Sequence, residues 1–372
     1  MDSFTGPVEK IWRLEETPPI RNLTWDWWWW LIMLHDEDGS PSGKQLMCLW
    51  STKDTSVIDV SGVEWRSEGR PQTKEGMTKL SGIVASWYWD GKKLHENMLL
   101  EKCHMLCIPS THDKWPDSGD SGGAIIPLIE KDLSMGLNSD ASEFWMKLET
   151  KFDFDFRMTP WNERLSRIST YSGEYPANMS YEIARLHGAK VTGKIDGESV
   201  EGTGYFQKVC VQAPSPPWFW GMIHFSDGSY LDWFIPHISA TMFKGNDKAW
   251  SWNDISEIAL SRSALFHDAV SKRSEKFAKV EVRRERMADD LPKFFVRMRN
   301  GRCSIELVAQ AACRAHFTFD QPSRGGLITH LTYNEYPLHI TKIKIRNENG
   351  ERGLENYDWI RGNAEHSWGL LF

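Results

Sequence analysis

Apolar and polar residues alternate with a period of two along much of this chain. Residues 147–160 (KLETKFDFDFRMTP) and 338–350 (LHITKIKIRNENG) run this way, the pattern of strands with one face on a core. Turn signals punctuate the pattern: Asp38-Gly39, Asp90-Gly91, Asp196-Gly197, Asp227-Gly228, Asn300-Gly301 and Asn349-Gly350 are all dipeptides suited to tight hairpins. The predicted class is all-β, built of antiparallel meanders with one or two helices. The clearest helix expected starts at Asn253, a good N-cap, and inserts near 253–275, with Ile255, Ile258, Ala259 and Leu265 able to share a face.

Between residues 160 and 179 the strand pattern lapses and prolines and polar residues gather, so a boundary is expected there. It divides the chain into an N-terminal β-domain, 1–165, and a C-terminal β-domain, 180–372. Each contains a Trp-rich strand that reaches a histidine just before an Asp-Gly turn: 25–35 (WDWWWWLIMLH) in the first and 218–224 (WFWGMIH) in the second. Two related β-domains would explain the echo, although it is too short to establish duplication.

Composition narrows the function. A chain of 372 residues, 40% hydrophobic and 26% charged, has the balance of a globular protein. Its net charge of −7 without long single-sign blocks argues against nucleic acid as a partner, which needs a clustered basic surface. The densest basic stretch, 272–286, is interrupted by Glu275, Glu281 and Glu285 and reads as a solvated helix face or an edge. The N-terminus lacks the charged and apolar regions of a signal peptide, and the longest apolar run, 27–34, is too short to span a bilayer. A cytoplasmic protein without an integral membrane segment is expected, its oligomeric state left open. Six scattered cysteines suit reduced thiols better than a disulfide frame. Cys103 and Cys107 on one strand would stand about 13 Å apart, too far to share a metal ion, so neither a metal nor a cofactor is expected. The outlying number is 20 tryptophans, which implies either thick cores or a wide pocket lined with rings.

Residues 119–123 (GDSGG) spell the sequence around the nucleophile of trypsin-like serine proteases. A serine attacks only when a base and an oxyanion hole surround it. Only 120 residues precede Ser121, and the histidines among them are His35, His95, His104 and His112. The required order of His, Asp and Ser across two barrels does not fit, so the stretch reads as a loop that tolerates glycine backbone angles.

If Asp227-Gly228 is a two-residue turn, 224 pairs with 231, 222 with 233, 220 with 235 and 218 with 237. One face then carries Trp218, Trp220, Met222, His224, Leu231, Trp233, Ile235 and His237; the other carries Phe219, Gly221, Ile223, Phe225, Tyr230, Asp232 and Phe234. Both faces are largely apolar, so the polar groups on them stand out. Asp232 would be a carboxyl among apolar neighbours, suited to a general acid, or else it would sit at a sheet edge or accept two backbone N–H bonds. His224 and His237 invite either a site or a structural hydrogen-bonding reading.

The run from Gly197 to Lys208 (GESVEGTGYFQK), followed by residues 218–228 (WFWGMIHFSDG), resembles the AttH and carotenoid 1,2-hydratase (hydroxyneurosporene synthase) family. The Trp-rich opening strand, the closing strand in KFDFDFRMTPW, the Thr332-Tyr333-Asn334-Glu335-Tyr336 stretch and Gly353-Leu354-Glu355 are similar to motifs of that family in the same order. The resemblance implies two lipocalin-like β-domains, a barrel and a sandwich, around an apolar cavity. It also implies hydration of isoprenoid double bonds or cyclisation of a folded chain. Protonating an alkene creates a carbocation, which needs a neutral acid in an apolar site and aromatic faces to stabilise the charge. Where the family carries its Trp and acid, this chain has Tyr205, Gln207 and Lys208, and Gln207 has no proton to give as an acid. The expected site therefore takes Asp232 as acid, with His237 as an alternative, Tyr205 and Gln207 as orienting groups, and Trp27, Trp29, Trp218, Trp220, His224 and Trp233 as the ligand's surroundings. The partner is a hydrophobic isoprenoid-like or polycyclic small molecule. A carrier that binds such a ligand without chemistry is the alternative.

Overall fold

The computed structural model describes every residue except 1–2, 7, 16–17, 36–40, 70, 75, 109–121, 129–132, 162–167, 176–178 and 244–256, with the backbone alone at 168–175 and 324. Ser121, the Asp38-Gly39 turn and the Asn253 cap fall outside the described residues. The chain forms two compact units, one of residues 1–35, 45–88 and 95–213, the other of 36–44, 89–94 and 214–372.

The first unit is a closed ten-stranded antiparallel barrel. Its strands follow one another around the ring as Thr24–Leu34, Lys44–Lys53, Met77–Trp89, Leu94–Ile108, Gly123–Pro127, Leu133–Leu137, Phe144–Glu149, Asp153–Pro160, Met179–Ile195 and Glu198–Gln212, which returns to the first. Strand pairing carries across the 160–179 stretch, because Asp153–Pro160 pairs directly with Met179–Ile195. Closure removes most of the open edge, a hazard in any sheet, while Ile168–Tyr175 pairs with the first half of Met179–Ile195 beside the ring. Alternation sorts the tryptophans: Trp28, Trp30, Ile32 and Leu34 join Phe206, Phe144, Phe154 and Phe156 in the interior core. Trp30 lies 4.7 Å from the Phe206 ring and 5.5 Å from Phe144, so rings fill the barrel. Trp25, Trp27 and Trp29 stand on its outer face by the same alternation.

One charge pair is built into this interior. Lys208 Nζ lies 2.6 Å from Asp26 Oδ1, with side chains 1% and 7% exposed. It also donates to the Val209 carbonyl and meets Cys210 Sγ, with the Trp28 ring 4.4 Å away. Burial works against the Lys208 cation, but the Asp26 carboxylate outweighs it and the ammonium is held above its ordinary pKa. A buried charge is tolerable only with such a partner.

The second unit is built on one long sheet whose path runs Arg273–Phe277, Ser263–Asp268, Tyr230–Ile238, Trp218–Phe225, Ile360–His366, Ile328–Asn347, Ser304–Ala311, Pro292–Arg299 and Lys279–Arg286. The path begins and ends on strands separated only by Ala278, which brings its ends together. The basic stretch 272–286 thus forms the two end strands, in keeping with the use of charged side chains at sheet edges. Phe219, Ile223, Phe225, Leu231, Trp233, Ile235, Phe266 and Tyr336 belong to its core.

The helix expected near 253–275 is not formed by the described residues there. They make a two-residue strand, Ile258–Ala259, and a hairpin of Ser263–Asp268 with Arg273–Phe277. Buried Ala264 and Phe266 alternate with a period of two, and Asp268 Oδ1 accepts the backbone N–H groups of Val270 and Ser271. That aspartate-capped turn, with Lys272 at φ +56°, reverses the chain where a helix would continue.

The GDSGG stretch ends in a structural role. Gly123 opens a barrel strand at φ +123°, and a Cβ there would meet the Trp12 indole at 2.2 Å. Trp12 Nε1–H donates to the Gly122 carbonyl. Gly123 thus gives the Trp12 indole its place against the backbone, while at Gly122 a Cβ would meet the Asn138 carbonyl at 2.4 Å.

Candidate active site

The Trp218–Phe225/Tyr230–Ile238 hairpin has a register one residue away from the expected one. Trp218 pairs with Pro236, Trp220 with Phe234, Met222 with Asp232 and His224 with Tyr230. The Phe225 carbonyl accepts the N–H of Gly228, and the Phe225 N–H donates to Ser229. Three residues, 226–228, therefore make the loop, with Gly228 at φ +87° and Asp227 Oδ1 accepting the Ser229 N–H. A two-residue loop of the expected type needs φ above zero at both positions; here only the glycine supplies it, as in a three-residue loop with a bulge. A one-residue slip turns every side chain of a strand to the other face.

The correction regroups the candidates. Trp218, Trp220, Met222 and His224 share their face with Tyr230, Asp232 and Phe234. Trp233 and His237 share the opposite, core-lining face with Phe219 and Ile235. Gly221 lies beneath the Trp233 indole, where a Cβ would approach a ring carbon to 2.1 Å. Tyr205, Gln207, Trp27 and Trp29 form a group of their own on the barrel's outer face. The Tyr205 hydroxyl donates to Gln207 Oε1 at 3.2 Å, and the Trp29 and Tyr205 rings stand 5.7 Å apart. Asp232 is buried, and its Oδ1 accepts the Leu265 N–H at 3.1 Å from the neighbouring strand.

The face that carries Trp218 and Asp232 extends onto the next two strands. Trp220 pairs with Glu365, which in turn pairs with Glu335. Both carboxyls are buried, Glu335 at 1% exposure and Glu365 at 6%. The Tyr333 hydroxyl reaches both, donating to Glu365 Oε1 at 2.7 Å and lying within hydrogen-bond reach of Glu335 Oε1. Trp218 Nε1–H donates to Glu365 Oε2 at 2.7 Å, and its ring is 5.9 Å from that of Tyr333. Burial, and then the two carboxylates, raise the Tyr333 pKa well above the ordinary phenol value. It is a neutral phenol.

One phenol proton cannot fill two hydrogen bonds to ionised carboxylates. The second contact closes when a carboxyl supplies its own O–H, and like charges this close favour the state in which one of the two is protonated. The Tyr333 hydroxyl bridges Glu335 Oε1 and Glu365 Oε1, and Trp218 Nε1–H donates to Glu365 Oε2. Residues 332–336 carried a family resemblance in the sequence, yet Glu335 and Glu365 lie thirty positions apart and nothing in their spacing predicts a pair. Only the strand register does.

No family model matches the chain, and no curated protein does. Among solved structures, a protein described as an AttH from Nitrosomonas europaea is similar with a TM-score of 0.50 at 14% identity, covering 96% of this chain and 97% of that one. Kievitone hydratase from Nectria haematococca (TM-score 0.42, 10% identity, 98% of this chain and 93% of that one) and CghA in complex with Sch210972 (0.44, 10%, 100% and 95%) are also similar. With its closed antiparallel barrel, its second long sheet and a match along nearly the whole chain, this protein has the lipocalin-like fold of the AttH proteins.

Proposed function

We propose that the protein is an enzyme that protonates a carbon–carbon double bond of an apolar, isoprenoid-like or polycyclic small molecule, leading to hydration or cyclisation. The observation that carries this reading is the pair of buried carboxyls joined by Tyr333 beside Trp218. Gln207 cannot be the acid, and the Glu335–Tyr333–Glu365 chain supplies one from another strand.

In this mechanism the Glu335 O–H delivers its proton to the less substituted alkene carbon. The π bond breaks, a C–H bond forms, and the positive charge rests on the more substituted carbon. The faces of Trp218 and Trp220 stabilise that cation. In hydration, water attacks the cation and its surplus proton returns to the carboxylates. In cyclisation, a second double bond attacks and the ring system then loses a proton to the same carboxylates. Asp232, on the same face but three strands from Glu335 and with one oxygen committed to the Leu265 N–H, takes no part in the proton step. The half-buried rings of Trp218 and Tyr333 are where a ligand reaches the network.

The test is incubation with a panel of terminal-alkene isoprenoids and polyenes in heavy-oxygen water, followed by mass spectrometry. Expected is a product carrying one water, or an isomer of unchanged mass, that is lost in Glu335→Gln. A ligand that binds but is recovered unchanged would show a carrier instead.

A further inference from the structure

On the other face of the same sheet, directly behind Glu365, His366 meets His237 and Glu257. The ligand atoms of the three lie within 4.8 Å of one another. His237 is 0% exposed and His366 1%, while Glu257 is half-buried. Their meeting follows from three strand pairings. Ala259 pairs with His237, which sets Glu257, two residues earlier, on the diagonal of the same face. His366 pairs with Phe219, and Phe219 with Ile235, two residues before His237. The imidazoles are held by packing: His366 stacks on Phe219 at 4.5 Å and 16°, His237 lies 5.3 Å from the same ring, and the two imidazoles are 6.4 Å apart at 17°. Trp368 closes on His366 at 5.7 Å.

We infer that His237, His366 and Glu257 form a binding site for a divalent first-row transition metal ion, Zn²⁺ foremost. Two neutral imidazoles and one carboxylate form a ligand set suited to such ions rather than to Ca²⁺ or Mg²⁺, which prefer oxygen. The two buried rings supply preorganised nitrogens, and the half-buried Glu257 carboxylate offsets part of the ion's charge. Three protein ligands leave at least one position for water or another oxygen ligand, the pattern of open rather than closed zinc sites. The site is separate from the Glu335–Tyr333–Glu365 network. Adjacent residues, Glu365 and His366, point to opposite faces of one strand.

Titration of the full chain with Co²⁺ tests the site without any substrate. Expected are one Co²⁺ per chain with the visible absorption of a four- or five-coordinate ion, displacement by Zn²⁺, and loss of both signals in His237→Ala and His366→Ala. Should the histidine variants fail to fold, Glu257→Gln, at a half-buried position, carries the test, with affinity expected to fall at least about 10-fold. Absence of stoichiometric binding to the unmodified chain, or unchanged affinity in Glu257→Gln, would overturn the assignment.

Discussion

Glu335 and Glu365 lie directly opposite each other on neighbouring antiparallel strands, and the Tyr333 hydroxyl reaches both. Opposed carboxyls in a buried sheet are costly when both are ionised. In the proposed mechanism a shared proton removes that cost and leaves an acid. The first prediction needs no substrate: infrared spectra of the protein in D₂O at neutral pH show a protonated-carboxyl stretch that disappears in Glu335→Gln. In a turnover assay the same variant loses about 10²–10⁴-fold in rate, the usual worth of a positioned general acid. Full activity in Glu335→Gln would remove the residue from the mechanism.

Asp26 and Lys208 form an ion pair inside the barrel. Removing one partner strands the other charge, at a cost of about 3–5 kcal/mol. Asp26→Asn is therefore expected to lower the stability measured by urea unfolding by that amount. The double variant Asp26→Leu/Lys208→Met recovers most of the loss, because neither charge then remains buried.

Lys53 is buried with its ammonium 4.6 Å from the centre of the Trp25 ring. Burial, offset only in part by Asp54, lowers its pKa to about 7 from 10.5. Between those two values the unfolded chain holds a proton that the folded chain has released, so stability rises with pH across that window and the penalty is largest below about pH 7. Lys53→Met is expected to unfold at higher temperature than the parent at pH 7. The difference between the two should shrink as the pH is raised towards 10, followed by calorimetry.

Gly221 lets the Trp233 indole lie on the backbone of the neighbouring strand. Adding a methyl group there forces the ring away, and overpacking of this kind costs about 1–3 kcal/mol. Gly221→Ala should lower the midpoint of thermal unfolding and change the near-ultraviolet circular dichroism of Trp233. An unchanged spectrum and midpoint would show that the indole does not rest on Gly221.

Much of the fold was legible from local pattern. Period-two alternation and Asp-Gly or Asn-Gly turns identified an all-β chain, and the motifs around Gly197–Lys208 and residues 218–228 pointed to the lipocalin-like architecture that the AttH structure shares. Two readings failed for local reasons. At 258–277 a helix-like composition was overridden by the Asp268 turn and by burial of Ala264 and Phe266 on one sheet face. At Asp227-Gly228 the turn took three residues rather than two, and that single slip exchanged the faces of Asp232 and His237.

By itself the sequence determined the strands, the aromatic wealth and the absence of an acid at position 207, because each depends on residue identity or near-neighbour spacing. The tertiary structure decided which polar groups meet. Glu335 with Glu365, Asp26 with Lys208, and His237 with Glu257 and His366 are brought together by strand register across long separations in the chain. Register is fixed by turns, bulges and the packing of whole faces, none of which is written in the residues that form the site.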